Sequence, residues 1–208
     1  MPTVSSARSA YAAAATAFLD LVAPIPLERY DGPGLGEWDL RSLVGHTGRS
    51  FVTVSTYLAT RADTVAASSA AEYYTVVARV AEADGAAVVA RGVAAGRALG
   101  DDPVTALRQS FRAADDALDA LGDEDPVIET ITGGMRVSDY LPTRTFELTV
   151  HSLDIARALG HDFEPPVDAL ESALLLAAAS ALAQGFGAEV LLALTGRQEL
   201  PAGRSTVP

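Results

Sequence analysis

Five side chains able to do chemistry recur at helical spacing between residues 140 and 154. Tyr140, Arg144, Glu147, His151 and Asp154 follow one another at intervals of 4, 3, 4 and 3 residues. At about 100° per residue, this spacing places all five on one stripe of an α-helix. Glu147 and His151 are one turn apart, so their side chains stand above one another and can share a metal ion.

The residues beside this stripe predict that it faces the protein interior. A charged stripe exposed to solvent normally has an apolar face opposite it, whereas here the opposite face is small and mostly polar. Buried ionisable groups are costly unless they are paired or bind a metal. An ordinary surface ion pair between Glu147 and His151 is the alternative interpretation. The apolar residues that flank the stripe are Leu141, Leu148, Ile155 and Leu159 on one side, and Phe146, Val150 and Leu153 on the other.

A third metal ligand can come from the few histidines of the chain, which are His46, His151 and His161. His46 with Glu147 and His151 makes a His2Glu set, which leaves a coordination position open for water or substrate, as in catalytic zinc sites. A hydrogen-bonded core histidine is the alternative for His46. His161 follows a glycine and is predicted to be solvated.

Further candidates surround this set. Asp154 could orient a ligand histidine, or simply pair with Arg157 on the helix surface. Arg144, on the stripe, and Arg49, one turn after His46, are candidates for holding an anionic substrate or cofactor, with ion pairing as the alternative. Tyr140 could donate to a developing oxyanion or be an ordinary buried tyrosine.

Composition limits the chemistry that the chain itself can perform. The 208 residues indicate one domain of ordinary size, and cysteine is absent. The protein therefore has no disulfide, no thiolate ligand and no thiol nucleophile of its own. Any thiol chemistry requires a thiol that is brought in as a cofactor.

The charge excludes several classes of partner. The formal net charge is -12, and all 15 basic residues are arginine, with no lysine or asparagine, which indicates a GC-rich coding bias of the actinobacterial kind. This acidity argues against nucleic acids and anionic membrane surfaces as partners. No apolar run is long enough to cross a bilayer, so we expect a cytoplasmic protein.

Helical periodicity dominates the chain and predicts an all-α fold. Asp39 is a predicted N-cap, and Trp38 before it is predicted to staple the start of that helix. Gly45 and Gly48 beside His46 predict close approach of another backbone or a ligand. Helices are predicted at about 6–22, 39–61, 70–99 with a possible break, 103–121, 138–159 and 168–184, with a short helix or strand at 188–195. The one strand-like run is 127–131, with a turn at 133–134.

Two segments make the sequence recognisable. WDLRSLVGHTGR around His46 and RTFELTVHSLDIARALG around Glu147 and His151 resemble the mycothiol-dependent maleylpyruvate isomerase family of the DinB-like metalloenzyme superfamily, and LLALTGRQELP near the C-terminus is similar to segments of that group. The resemblance implies a DinB-like four-helix bundle with a long crossover over residues 1–160. A short helical extension, residues 161–208, is expected to pack on it. The resemblance also implies a divalent metal, commonly zinc but with nickel or another ion open, on His46, Glu147 and His151.

The resemblance further implies a metal-dependent isomerase or S-transferase. Characterised members hold a low-molecular-weight thiol, mycothiol, as a thiolate that attacks an electrophilic small molecule. The isomerase proper has a further C-terminal domain that contributes an arginine. Neither Arg197 nor Arg204 in the residues after 160 can be matched to it, so the thiolate chemistry is better supported than the isomerase reaction.

Two other functions use the same residues. A metal-assisted hydrolase would need the same three ligands, with bound water as nucleophile and no added thiol. A non-catalytic binding or regulatory protein would use the bundle as a scaffold, and its alanine-rich helices could serve a partner helix or a homodimer.

Overall fold

Helices dominate the chain, which the computed structural model describes over residues 3–83 and 85–206. The predicted stretch 70–99 corresponds to two helices, and residue 84, between them, lies outside the described residues. Together with a two-stranded hairpin, the helices confirm the prediction of an all-α fold with a minor strand element. The elements are α1 (Val4–Val22), α2 (Leu40–Leu58), α3 (Ala70–Ala83), α4 (Gly85–Ala98), α5 (Pro103–Leu121), β1 (Val127–Thr130), β2 (Gly133–Arg136), α6 (Val137–Leu159), α7 (Val167–Ala183) and α8 (Gly187–Leu194).

Four of these helices form the DinB-like bundle. Helix α1 contacts α5 and α6, and α2 also contacts α5 and α6, so the four close into a ring. The long crossover between α2 and α5 carries α3 and α4, of which α4 packs on α2 and α3 packs on α6. Each bundle helix thereby buries its apolar face against two neighbours.

Helix α6 is buried on nearly all sides, including the small polar face opposite the charged stripe. Thr145, Thr149, Ser152 and Ala156 on that face are all buried. The hydroxyls of Thr145 and Thr149 donate to the carbonyls of Leu141 and Thr145, one turn back, at 3.2 and 2.7 Å. These two hydroxyls are satisfied within the helix, whereas Ser152 Oγ, also buried, has no hydrogen-bond partner among the described residues.

The two glycines beside His46 serve helix packing. A Cβ at Gly45 would overlap the backbone of Gly96 in α4, and one at Gly48 would overlap the side chain of Leu107 in α5. The predicted close approach of another backbone is therefore confirmed for Gly45. Helix α2 therefore packs closely between α4 and α5, and this close packing fixes the position of His46 along the bundle.

The hairpin corrects one prediction, because Gly133 and Gly134 do not form its turn. The turn is at 131–132, and β2 pairs antiparallel with β1 in the register Thr130↔Gly133. The Thr130 hydroxyl stabilises this tighter turn, since it accepts from the Thr132 N–H at 3.1 Å and donates to the Gly133 carbonyl at 2.7 Å. Gly134 is needed for packing instead, because a Cβ there would overlap the Thr64 carbonyl of the α2–α3 loop.

The C-terminal helices extend the bundle on one side. Helix α7 contacts α1, α3 and α6, and α8 contacts α7. The segment predicted as a short helix or strand is therefore helical. The boundary between a bundle of residues 1–160 and an extension of residues 161–208 stays a prediction. Among the described helices, none is both long and apolar enough to cross a membrane.

Candidate metal centre

Helices α2 and α6 bring His46, Glu147 and His151 to one point. The carboxylate oxygen Glu147 Oε2 lies 3.7 Å from His46 Nε2 and 3.2 Å from His151 Nε2. One ligand atom from each residue lies within 4.8 Å of the others. Two imidazole nitrogens and one carboxylate oxygen are a set that binds divalent metals, zinc among them, with a position left open.

Asp154 fixes the orientation of His151. Its Oδ2 atom lies 3.2 Å from His151 Nδ1, so that nitrogen is engaged and Nε2 faces Glu147. Asp154 Oδ1 also lies 3.8 Å from Arg157, whose side chain is 80% exposed. Both interpretations of Asp154 are thus present in the structure, but so exposed an ion pair contributes little. A carboxylate behind a ligand histidine is a common way to set its tautomer.

Tyr74 is a site residue that sequence reasoning missed. Its hydroxyl, buried on α3, donates to Glu147 Oε1 at 2.6 Å and also lies 3.1 Å from the Thr143 carbonyl. Both oxygens of the Glu147 carboxylate therefore have polar neighbours. Tyr74 and Glu147 are 73 residues apart in the chain, and no local spacing pattern links them.

A cavity of about 230 Å³ opens onto the three candidate ligands. The side chains of His46, Glu147 and His151 retain exposed fractions of 22%, 17% and 15%, so a small molecule can reach them. Helices α2, α3, α4 and α6 form most of the wall, and the hairpin turn and the loop before α2 complete it. The apolar wall includes Trp38, Val77, Val88, Ile131, Phe146 and Val150.

Trp38, which is predicted to staple the start of α2, also reaches the candidate centre. Its ring lies 4.5 Å from the His46 ring, centroid to centroid, and its indole N–H donates to the Val89 carbonyl at 3.0 Å. Gly92 makes room for it, because a Cβ there would overlap the indole. Trp38 therefore covers one face of His46 and ties it to α4.

The cavity is positively charged although the protein is acidic. Arg49, Arg91 and Arg144 line it, and Glu147 is the only acid among the described lining residues. Arg144 is held in place: it donates to the Tyr73 hydroxyl at 3.2 Å and to Thr143 Oγ1 at 3.0 Å. Arg49 was predicted from its spacing, whereas Arg91, in a glycine-rich helix, was not. Neither arginine forms an ion pair within the described residues.

The structure does not bring Tyr140 to the cavity. Its ring is buried beside Tyr57 and Tyr73, with centroid distances of 5.5 and 6.2 Å, and the Arg144 guanidinium lies 5.3 Å from it. Tyr140 is absent from the described residues that line the cavity. Two turns of α6 separate it from Glu147, so the interpretation as an oxyanion donor lacks the geometry it needs. His161 is exposed, as predicted.

The surroundings shift the pKa values of the three candidate ligands in different directions. Burial raises the pKa of Glu147, but hydrogen bonds from His151 and His46 outweigh this and hold the pKa well below its usual range. Burial lowers the pKa of His151, but contacts with Asp154 and Glu147 raise it to about 9. For His46, burial lowers the pKa and contact with Glu147 offsets it only partly. Near neutral pH the metal-free centre thus pairs a carboxylate with one protonated and one neutral imidazole.

Comparison with known proteins identifies the family of most of the chain. Residues 11–156 match the family described as Mycothiol maleylpyruvate isomerase N-terminal domain. The matched segment runs from α1 through most of α6 and contains all three candidate ligands. No curated protein and no solved structure matches the chain. Because the family match spans well over half of the sequence, the chain belongs to the mycothiol maleylpyruvate isomerase N-terminal domain family.

Proposed function

We propose that this protein is a divalent-metal-dependent enzyme that activates a low-molecular-weight thiol for attack on an electrophilic small molecule. The proposal rests on the convergence of His46, Glu147 and His151, with ligand atoms within 4.8 Å of one another, at the cavity. Family membership favours mycothiol as the thiol. Zinc is the proposed metal, and nickel or another divalent ion is the alternative.

The protonation states of the three candidate ligands suit the binding of a divalent ion. Metal ligands must be deprotonated, and Glu147 and His46 already are at neutral pH because of their pKa values. His151 has to lose one proton, while Asp154 keeps its Nδ1 engaged. A divalent ion bound there would lower the pKa of a coordinated thiol and so supply a thiolate near neutral pH.

The cavity and the composition both support an external thiol. The chain contains no cysteine, so the sulfur has to come from a cofactor. A volume of about 230 Å³ is below the range of about 300–1,000 Å³ for pockets that enclose a whole ligand. The cavity therefore suits the thiol end of a cofactor together with a small electrophile, while the rest of the cofactor remains outside.

The unpaired arginines are proposed to hold an anionic group of the substrate. Arg49 and Arg91 line the cavity from α2 and α4, and a carboxylate there would gain charge-assisted hydrogen bonds. Arg144 is already committed to Tyr73 and Thr143 and is proposed to shape the wall. We expect Arg49→Gln to raise KM by about tenfold, with a smaller change in kcat, because binding rather than chemistry is lost.

Metal analysis tests the centre itself. Purified protein is loaded with zinc, dialysed and compared with His46→Ala, Glu147→Ala and His151→Ala, with His161→Ala as the matched exposed-histidine control. We expect about one equivalent of zinc in the wild type and in the control, and loss of zinc in the other three. A wild-type protein that stays metal-free with both zinc and nickel would contradict the proposal.

Turnover then separates thiol transfer from hydrolysis. The zinc-loaded protein is incubated with a panel of electrophiles in the presence and absence of mycothiol. Thiol-dependent consumption of the electrophile supports the proposed function. Metal-dependent turnover without any thiol would indicate a hydrolase, and a metal-bound protein without turnover under either condition would favour a binding role.

A further inference from the structure

The outer face of α7 is unusual because it exposes large apolar side chains in a regular row. Val167, Leu174, Leu175 and Leu182 are 78%, 58%, 65% and 74% exposed. With Ala178 and the exposed Glu171, they lie at positions that share one stripe of a helix, at about 100° per residue. Helix α7 therefore has two apolar sides, of which the opposite one, with Ala169, Ala173 and Leu176, is buried against the bundle.

Helix α8 extends this apolar surface. It packs on α7 and begins against Leu182, whose side chain is the nearest neighbour of Gly187. Leu191, Leu192 and Leu194 on α8 are 64%, 37% and 75% exposed. We call Val167, Leu174, Leu175, Leu182, Leu191, Leu192 and Leu194 the α7–α8 face.

The size of this face is that of a protein interface. Its seven large side chains expose an apolar area on the order of 700 Å², above the roughly 300–600 Å² of the largest patch on an ordinary monomer. A standard interface covers about 800 Å² on each partner. Covering the face therefore requires a surface of matching size rather than a small ligand.

Charge indicates what that surface is. The protein carries a formal net charge of -12, yet residues 172–188 contain no charged side chain. Two copies of so acidic a protein repel one another through most orientations, and this uncharged stretch, which lies between Glu171 and Glu189, is where the repulsion is weakest. A basic partner would gain nothing from binding to this stretch, whereas a second copy offers an equally uncharged one.

We propose that the α7–α8 face is the interface of a homodimer, with α7 packed antiparallel against α7 of the second copy. A two-fold axis brings identical patches together. Ala178, between Leu174 and Leu182 on the stripe, offers the small side chain that lets two helices approach at their crossing point. With the axis there, Glu171 of one copy faces the region of Gly185 in the other, so the two acidic side chains are separated. This interface is independent of the metal chemistry proposed above.

The first test is the mass in solution. Sedimentation equilibrium of the full chain is expected to give a dimer at micromolar concentration, and Leu174→Glu and Leu182→Glu are expected to be monomers, because each copy would bury a carboxylate against a leucine of the other copy. Val52→Glu is the matched control, since Val52 on α2 is also exposed, at 49%, but lies off this face. Circular dichroism checks that each variant folds.

A second test uses the absence of cysteine. Ala178→Cys introduces a single thiol at the proposed crossing point, and mild oxidation is expected to give a disulfide-linked dimer. Ala94→Cys, exposed on α4, is the control and is expected to stay mostly uncross-linked. A wild type that is monomeric at all concentrations, a dimer that survives both glutamate variants, or equal cross-linking of the two cysteine variants would overturn the proposal.

Discussion

Helices α6 and α7 are neighbours with opposite distributions of polarity. Helix α6 carries Arg144, Glu147 and His151 toward the interior, and Arg144 is only 8% exposed. Helix α7 carries leucines on the outside, with Leu182 at 74%. Both depart from the rule that charge faces water and apolar side chains face the core.

The difference between them lies in their partners. The charged groups of α6 find partners within the chain: Glu147 contacts His46, His151 and Tyr74. The outward-facing leucines of α7, by contrast, keep most of their surface exposed. Burying a charge without a partner costs far more free energy than exposing a leucine. The charged groups of α6 therefore need partners within the chain, whereas the leucines of α7 can remain exposed until a second protein binds. We propose that each departure marks a binding function, one for a metal and one for a second copy of the chain.

The largest effect on stability and metal affinity is expected from a variant that removes a partner of the buried charged groups of α6. Glu147→Gln removes the carboxylate between the two imidazoles, takes a negative charge from the neighbourhood of buried Arg144, and leaves protonated His151 with Asp154 as its remaining counter-charge. We expect the metal-free protein to lose about 3 kcal/mol of unfolding free energy and zinc affinity to fall by more than about 100-fold. Urea unfolding and chelator competition measure the two effects.

The control for this variant is an ion pair at the surface. Glu189 and Arg204 pair at 3.0 Å with side chains 33% and 40% exposed, and we expect Glu189→Gln to cost less than about 1 kcal/mol. Equal losses of unfolding free energy for Glu189→Gln and Glu147→Gln would show that the buried cluster stabilises the protein no more than a surface ion pair does.

The pH dependence of the metal-free protein gives the next effect. The pKa of His151 is raised from 6.5 to about 9, so its contribution is complete below pH 6.5 and is lost as the pH rises through 9. We expect the unfolding free energy to fall over this window by on the order of 2–3 kcal/mol. Denaturant titrations in excess chelator measure it, and His151→Gln should remove most of this pH-dependent change.

Metal affinity is expected to follow the opposite trend over the same range. Zinc has to displace the proton of His151, so its apparent affinity should rise as the pH increases toward 9. A zinc affinity that does not depend on pH would argue against His151 as a ligand.

A smaller effect is expected from the hydroxyl behind the carboxylate. Tyr74→Phe removes the 2.6 Å hydrogen bond to Glu147 but keeps the ring. We expect a loss of about 1 kcal/mol in unfolding free energy and about tenfold weaker zinc binding. Tyr57→Phe, which also lines the cavity, serves as the control, and an equal loss of zinc affinity in both variants would exclude a positioning role for Tyr74.

The smallest effect belongs to the outside of α7. At dilutions where the protein is monomeric, Leu182→Ser should change the unfolding free energy by no more than about 0.5 kcal/mol. Leu148→Ala should cost about 3 kcal/mol, because Leu148 on α6 is fully buried. Thermal unfolding of both variants compares the helices directly, and a large loss for Leu182→Ser would mean that its side chain packs within the monomer.

The sequence by itself determined the helices and the core of the candidate centre. The positions of Glu147, His151 and Asp154 on one stripe follow from helical geometry, which acts over a few residues and is readable from spacing. The inward direction of that stripe also followed from its apolar flanks. His46 could be joined to it because the chain has few histidines and because two segments resemble one family.

Only the tertiary structure decided which distant residues complete the centre and which faces are exposed. Tyr74, Trp38 and Arg91 reach the cavity from three separate segments, and Tyr140, on the predicted stripe, lies behind its wall. The sequence left open whether the alanine-rich α7 serves a partner helix or a homodimer, and only the structure shows which of its leucines are exposed. The physical reason is common to all of these: spacing orients a side chain around its own helix, whereas its neighbours depend on how helices tens of residues apart pack together.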